Sequence, residues 1–183
     1  MSDIAVAGIM GNMEAESNCE AMRVQGDFSA TRTISKIYAE KFNTYPSECF
    51  TDAKGWGLCQ WTYYTRKEDL YQFCHDRGVG VEDEAAQVAF FLYEIKRDYS
   101  ATWAAIQSAP DIRTAAYQMC HNYERPAVDN IDTRAKYGEQ IYMQFHGSTV
   151  DESNDWLMDW IEYLEDEKTR IQAKIDELRG GMS

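Results

Sequence analysis

The sequence predicts a mainly helical α+β fold, made of one globular body at 1–146 and a separate C-terminal helix. Apolar residues make up 44% of the chain and aromatic residues 13%, which is enough for a packed core. Apolar side chains recur at helical spacing in several segments of the body. The exception is 18–62, where glycines, a proline and short aromatic runs favour a small β-hairpin ending near Trp61.

The first helix is predicted to begin after Ser2, a good N-cap residue, with Asp3 in its first turn. Four residues at helical spacing share one face of this helix: Ala5, Ile9, Asn12 and Glu16. Gly8 and Gly11 weaken the helix, so we expect them to allow close packing against a neighbour. Further helical patterns occupy four later segments: 65–77, 82–97, 111–123 and 131–145.

The C-terminal part divides into a polar, turn-rich linker at 147–154 and an amphipathic, coiled-coil-like helix at 155–183. From Leu157 to Leu178, apolar residues follow alternating steps of four and three, interrupted once by Lys168. An isolated helix of this length is marginal in water and needs a partner surface. The helix-mediated contact through 155–178 could be with the body of the same chain, a second copy of it, or another protein.

Composition excludes several classes of function. The net charge is −13, whereas nucleic-acid binding needs a basic face. No apolar run approaches the roughly 18 residues of a membrane span, and the N-terminus lacks the basic region of a signal peptide. The five cysteines show neither a CxxC pair nor zinc-finger spacing, so we expect buried, reduced thiols and no metal or cofactor.

Glu16 is the first candidate for chemistry, because it ends the first helix on a face that otherwise reads as buried. Apolar surroundings favour the protonated form of a carboxyl group. A protonated carboxyl is suited to act as a general acid on a glycosidic oxygen. The alternative is a solvated glutamate at a frayed helix end. Glu14, two residues earlier, faces elsewhere.

The second candidate is the segment 55–61, Gly-Trp-Gly-Leu-Cys-Gln-Trp. Its glycines allow tight turning and close approach of a ligand. Gln60 offers an amide donor and acceptor suited to sugar hydroxyl and acetamido groups. Four aromatic side chains offer flat apolar faces against which sugar rings can pack: Trp56, Trp61, Tyr63 and Tyr64. The alternative is a β-hairpin with an aromatic core.

The third candidate is Asn122-Tyr-Glu-Arg-Pro126, which ends a predicted helix before a proline. Tyr123 could hydrogen-bond a catalytic carboxyl or the substrate. Glu124 and Arg125 could equally form an ordinary surface ion pair, which contributes little to stability.

Taken together in this order, the segments 8–17, 52–62 and 123–126 resemble the phage tail lysozyme and phage endolysin muramidase family. That family is distantly similar to goose-type lysozymes and soluble lytic transglycosylases. The resemblance covers residues 4–146 and implies a lysozyme-like fold and cleavage of peptidoglycan glycan strands.

The resemblance also implies roles for individual residues. The glutamate of the family's Glu-Ser pair is the acid, which corresponds to Glu16 and not to Glu14. The Gly-Leu-x-Gln stretch lines the sugar cleft, which assigns substrate binding to Gln60. The side-chain chemistry of Trp56, Trp61 and Tyr123 adds these three as further expected substrate contacts. Goose-type relatives can place an aspartate shortly before that stretch to activate water, and Asp52 occupies a comparable position.

The expected reaction is therefore cleavage of the bond between N-acetylmuramic acid and N-acetylglucosamine, with Glu16 as acid and Asp52 as candidate base. An inverting mechanism requires the two carboxyls to lie about 6.5–9.5 Å apart. Without a second carboxylate, the muramic acid 6-hydroxyl could attack, as in a lytic transglycosylase, and give a 1,6-anhydro product. The enzyme would be made in the host cytoplasm and would reach the wall through a holin or in the virion.

Two other classes of function compete with this interpretation. Cys59, or Cys120 with His121 and Asn122, offers the parts of a cysteine peptidase or amidase. The chain could also be a structural virion protein whose lysozyme domain does no catalysis. The acidic charge gives no attraction to anionic walls, so a wall-binding module is a plausible partner for 155–178.

Overall fold

The computed structural model describes residues 1–146, and these form a body of packed helices. Its eight α-helices are α1 (Asp3–Ser17), α2 (Thr33–Thr44), α3 (Pro46–Phe50), α4 (Tyr64–His75), α5 (Glu84–Asp98), α6 (Ser100–Gln107), α7 (Ile112–Met119) and α8 (Ile131–His146). A π-helical turn, Cys120–Glu124, directly follows α7. The mainly helical prediction is confirmed. The predicted linker at 147–154 and helix at 155–183 lie outside the described residues.

The irregular segment predicted at 18–62 is wrong in part, because it contains α2 and α3. Arg32, the N-cap of α2, has a left-handed backbone and makes no side-chain capping bond, so the sequence carries no start signal there. Pro46 occupies the first turn of α3, where its missing N–H costs nothing. The sequence pattern also did not reveal α6.

The predicted β-hairpin is reduced to isolated antiparallel bridges, Val24 with Trp56 and Trp56 with Trp61. The backbones of Trp56 and Trp61 exchange two hydrogen bonds, of 3.2 and 3.0 Å. Gly57 (φ 74°) and Gln60 (φ 45°) turn the chain back immediately, so the pairing ends after one residue pair. Gly57 has a second constraint, because a Cβ there would lie 2.3 Å from Oε1 of the buried Gln87 side chain.

Helix α1 packs directly against α7 and α8. A Cβ on Gly8 would lie 2.5 Å from the Cβ of Ala115, and one on Gly11 would lie 2.3 Å from the backbone oxygen of Arg134. These distances are shorter than real side-chain contacts, so only glycine permits the approach. The close packing predicted for both glycines is confirmed.

The start and buried face of α1 also agree with the sequence prediction. The Ser2 side chain accepts a hydrogen bond from the Ala5 backbone N–H at 3.2 Å. Ala5, Ile9 and Asn12 are buried. Glu16, one turn further on, is 19% exposed at the edge of the core. Helix α1 therefore places the Glu16 carboxyl at the edge of the core, one turn beyond the buried residues Ala5, Ile9 and Asn12.

The cysteines of the described body are all free, and four of the five are buried. Within 1–146, no helix is both long and apolar enough to cross a membrane. The same residues contain no cluster of three metal-ligating side chains.

Candidate active site

A cavity of about 490 Å³ lies at the C-terminal end of α1. Its size is in the range of small-ligand sites. The wall is built from segments far apart in sequence, and includes Glu16, Arg23, Phe28, Gln60, Glu124 and Arg125. All three segments that carried the sequence resemblance contribute to this wall.

Glu16 lies in this cavity with its carboxyl anchored by Arg134. Nη2 of Arg134 donates to Oε1 of Glu16 at 2.5 Å, and the arginine side chain is only 6% exposed. Arg134 is itself held by Oδ1 of Asn12 at 3.0 Å and by the backbone oxygen of Asp129 at 2.9 Å. The apolar surroundings predicted for Glu16 are therefore wrong, since its immediate neighbour is a guanidinium group.

Glu124 contributes a second carboxyl group to the same cavity. Its Oε1 is buried and has no hydrogen-bond partner among residues 1–146. Burial, followed by the charge of Glu16, raises the pKa of Glu124 to about 8, although the guanidinium groups of Arg66 and Arg134 oppose the shift. A carboxyl with this pKa is mostly protonated at neutral pH.

The π-helical turn explains how Glu124 reaches the cavity. A π-turn inserts an extra residue into a helix and changes the direction of the side chains that follow. The turn ends at Arg125, whose left-handed backbone (φ 53°) precedes Pro126. Arg125 donates to the backbone oxygen of Asn122 at 3.3 Å. The sequence allowed Glu124 and Arg125 to form an ordinary surface ion pair. In the structure both residues instead line the cavity.

Three predicted sugar contacts are buried in the protein core. Trp56 and Trp61 are 0% exposed and Tyr123 is 1% exposed. Trp56 Nε1 donates to the backbone oxygen of Val81 at 3.1 Å, and Trp61 Nε1 donates to Glu94 at 3.1 Å and to the Tyr123 hydroxyl at 3.2 Å. None of the three offers a ring face to a sugar. The prediction that these three side chains contact the substrate is therefore wrong. They belong to the core and support the cavity wall from within.

A buried ion pair joins α4 to α5 next to these aromatic residues. Arg66 donates to both carboxylate oxygens of Glu94, at 2.6 and 2.8 Å. Glu94 also accepts from the Tyr123 hydroxyl, and Arg66 lies over the Tyr123 ring at 4.5 Å. Such a bidentate pair fixes orientation strongly. The Arg66–Glu94 pair thereby fixes Tyr123, the residue that precedes Glu124.

Gln60 and Phe28 are the wall residues best placed to meet a ligand. Gln60 Nε2 donates to the backbone oxygens of Gly57 at 2.9 Å and Arg23 at 3.2 Å, which fixes the side chain. Phe28 is 86% exposed and was not recognised from the sequence. The preceding residue, Asp27, accepts four hydrogen bonds from two nearby serines, which fix the base of this loop.

Asp52, the predicted base, does not line this cavity. Its Oδ1 lies 2.6 Å from Nζ of Lys67, a side chain with no exposed surface, and accepts from the Lys54 backbone N–H at 3.0 Å. Burial raises the pKa of Asp52, but the hydrogen bonds from Lys67 and Lys54 outweigh it and leave a net lowering. The role of Asp52 as a base stays a prediction.

The cysteines do not resemble activated nucleophiles. Burial raises the pKa of Cys59 well above that of a free thiol, and it also raises the pKa of Cys120. A nucleophilic cysteine needs the opposite shift. His121 lies 3.1 Å from a carboxylate oxygen of Asp129. These observations favour structural thiols over a cysteine peptidase.

Many enzymes that cleave glycosidic bonds use two carboxyl groups in one cleft. The sequence model of the phage tail lysozyme family matches residues 1–145, and the chain belongs to this family. It is a phage lysozyme, a glycosidase-type enzyme that degrades peptidoglycan. Comparison with curated proteins gave no match.

Proposed function

We propose that the enzyme is a muramidase that cleaves the bond between C1 of N-acetylmuramic acid and O4 of N-acetylglucosamine. Glu16 is its general acid. The proposal rests mainly on one observation, the position of the Glu16 carboxyl in a cavity of about 490 Å³ beside a second carboxyl group. It also rests on the family, whose resemblance assigns the acid to this position.

In the proposed reaction, Glu16 gives its proton to the glycosidic oxygen as the C1–O bond breaks. The electron pair of that bond goes to the leaving oxygen. A nucleophile then attacks C1 and loses its own proton. Water as nucleophile gives a reducing muramic acid end, whereas attack by the muramic acid 6-hydroxyl gives a 1,6-anhydro end.

We assign substrate contact to two wall residues of different chemistry. The Gln60 amide nitrogen donates to two backbone oxygens at the cavity, and its oxygen remains as an acceptor for a sugar hydroxyl or an acetamido N–H. Phe28 adds an exposed aromatic face on which a sugar ring can pack. Trp56, Trp61 and Tyr123 support this wall from the core.

Purified enzyme on defined cell walls tests the proposal. A fall in turbidity, with new glycan ends identified by mass spectrometry of the released muropeptides, is the expected result. The mass of those ends separates hydrolysis from transglycosylation by 18 Da, the mass of one water. Release of peptides with intact glycan strands would contradict the proposal, and so would the absence of any cleavage, which would leave a structural virion role.

A further inference from the structure

Glu16 presents a difficulty for its own proposed role. A general acid must carry a proton when the substrate arrives. The carboxyl of Glu16 instead meets the guanidinium of Arg134 at 2.5 Å, and that guanidinium is almost fully buried. The cleft therefore needs some means of holding a proton at neutral pH.

Glu124 is placed to hold a proton in the cleft. It lines the same cavity as Glu16, and the π-helical turn that carries it is fixed by the bond from the Arg125 N–H to the Cys120 oxygen at 2.8 Å. One of its carboxyl oxygens is buried without a hydrogen-bond partner in the described body. A buried, unsatisfied carboxylate oxygen is costly, so this environment favours the protonated form.

The charged and titratable groups around Glu124 come from several elements. Glu16 faces it from α1, Arg134 from α8, Arg66 from α4 and the Cys59 thiol from the turn before α4. The two arginines already have carboxylate partners, since Arg134 pairs with Glu16 and Arg66 with Glu94.

Two further arginines, Arg23 and Arg125, line the cavity wall. Neither forms an ion pair with Glu124 in the described part of the chain. Among the charged groups around Glu124, Glu16 has the strongest effect, and its negative charge favours the protonated form of Glu124.

We propose that Glu16 and Glu124 work as a coupled pair that holds one proton between them at neutral pH, and that this proton is delivered to the glycosidic oxygen. This inference rests on the proposed function. Two neighbouring carboxyl groups resist carrying two charges, so the first proton is lost at a higher pH than from either group alone. Glu124 keeps the proton in the cleft, and Glu16 passes it to the substrate.

The proton balance of one turnover follows directly. Delivery to the glycosidic oxygen leaves the pair with two negative charges as the C1–O bond breaks. The nucleophile, either water or the muramic acid 6-hydroxyl, releases one proton when it bonds to C1. Uptake of one proton by the pair restores the starting state, so the scheme holds for both possible products.

The pH dependence of kcat/KM in Glu124→Gln tests the pair. For the wild type we expect an alkaline limb at about pH 8, where the pair loses its proton. In Glu124→Gln this limb should move down by roughly one pH unit or more, with about tenfold loss at neutral pH and recovery in acid. Glu124→Asp should restore part of the shift. A purely structural role would lower the whole profile without moving it.

The matched control is Glu14→Gln, the same chemical change on α1 two residues from Glu16. It should leave the alkaline limb in place. An unmoved limb in folded Glu124→Gln would overturn the inference, even if Glu16→Gln is inactive and the proposed function holds.

Carbon-13 NMR of the glutamate carboxyls gives a readout that needs neither activity nor the Glu124→Gln variant. The wild type should show one glutamate carboxyl titrating near pH 8. In Glu16→Gln this titration should move to lower pH, because the neighbouring charge is gone. Either a missing high titration or one that ignores Glu16 would overturn the pair. A wild type that cleaves no glycan would instead refute the proposed function.

Discussion

Two carboxylate–cation pairs in this protein look alike locally and differ in what lies beyond them. Glu16 meets Arg134 at 2.5 Å, and Asp52 meets Lys67 at 2.6 Å. The carboxyl side chains are 19% and 20% exposed, and both cations are almost fully buried. However, only Glu16 borders the cavity of about 490 Å³.

The difference lies in the second carboxyl group. Glu16 has Glu124 in the same cavity, and the charge of Arg134 also acts on that second carboxyl. Both cations keep two neutral acceptors if their carboxylate is removed, Arg134 in Asn12 and the Asp129 backbone and Lys67 in the Lys54 backbone and Tyr38. Asp52 is the only carboxylate that contacts Lys67 within 1–146. A buried ion pair by itself therefore does not mark an active site. A shared cavity and an unsatisfied neighbour are the better indication.

The largest expected effect is that of Glu16→Gln on catalysis. The amide keeps the shape and still accepts a hydrogen bond from Arg134, but it cannot give a proton. We expect wall lysis to fall by roughly 100-fold or more with the fold retained, measured by turbidity and circular dichroism. Glu14→Gln is the control and should keep its activity. If Glu14→Gln is inactive and Glu16→Gln is active, the assignment of the acid to Glu16 is wrong.

The next effect concerns the stability role of Asp52. Asp52→Ala leaves the Lys67 charge without a carboxylate, so we expect the free energy of unfolding to drop by about 3 kcal/mol. Glu16→Ala should cost less, because Glu124 remains as a second carboxyl that interacts with the Arg134 charge. Lys67 retains only neutral acceptors within 1–146, the Lys54 backbone oxygen and the Tyr38 hydroxyl. Urea unfolding of both variants measures the difference.

Asp52→Asn then separates stability from chemistry. A fall in kcat of more than about tenfold for the folded enzyme, with KM unchanged, would support Asp52 as the base that the sequence predicts. Loss of stability with little change in kcat would place Asp52 with the structural ion pairs.

A smaller effect is expected in the pH dependence of stability. The folded-state pKa of Glu124 is about 8, above the ordinary value of 4.5, so the folded protein binds the proton more tightly. This contribution is fully present below about pH 4.5 and is lost as the pH rises to about 8. Glu124→Gln removes the titrating group, so its melting temperature should fall less than that of the wild type between pH 5 and 8.

Calorimetry at several pH values measures this difference. An equal fall in the melting temperature of both proteins would show that Glu124 has an ordinary pKa in the folded state.

The sequence predicts the helices that carry strong periodicity and clear caps, such as α1. It fails where tertiary contacts decide the structure. Helix α2 lacks a capping residue, and its helical structure depends on burying Tyr38 and Phe42 against the core. The rings of Trp56 and Trp61 suit a sugar platform and a core equally well. Only their burial decides between the two.

The candidate site was predicted in part for similar reasons. Glu16 and Gln60 could be found because each belongs to a recognisable motif. Glu124 also lies in a motif, but its role depends on a π-turn that helical periodicity does not reveal. Phe28 stands alone in a polar loop, and nothing in the sequence connects it to α1.

The smallest expected effect is that of Phe28→Ala, which tests whether the cavity binds sugar through its exposed face. Phe28 is 86% exposed, so its removal should leave the melting temperature almost unchanged. An aromatic contact contributes about 0.5–1.5 kcal/mol, which corresponds to a rise in KM of roughly two- to tenfold with kcat little changed. Ile37→Ala is the control, since Ile37 is also exposed and does not line the cavity. Equal KM values for the two variants would show that the substrate does not contact Phe28.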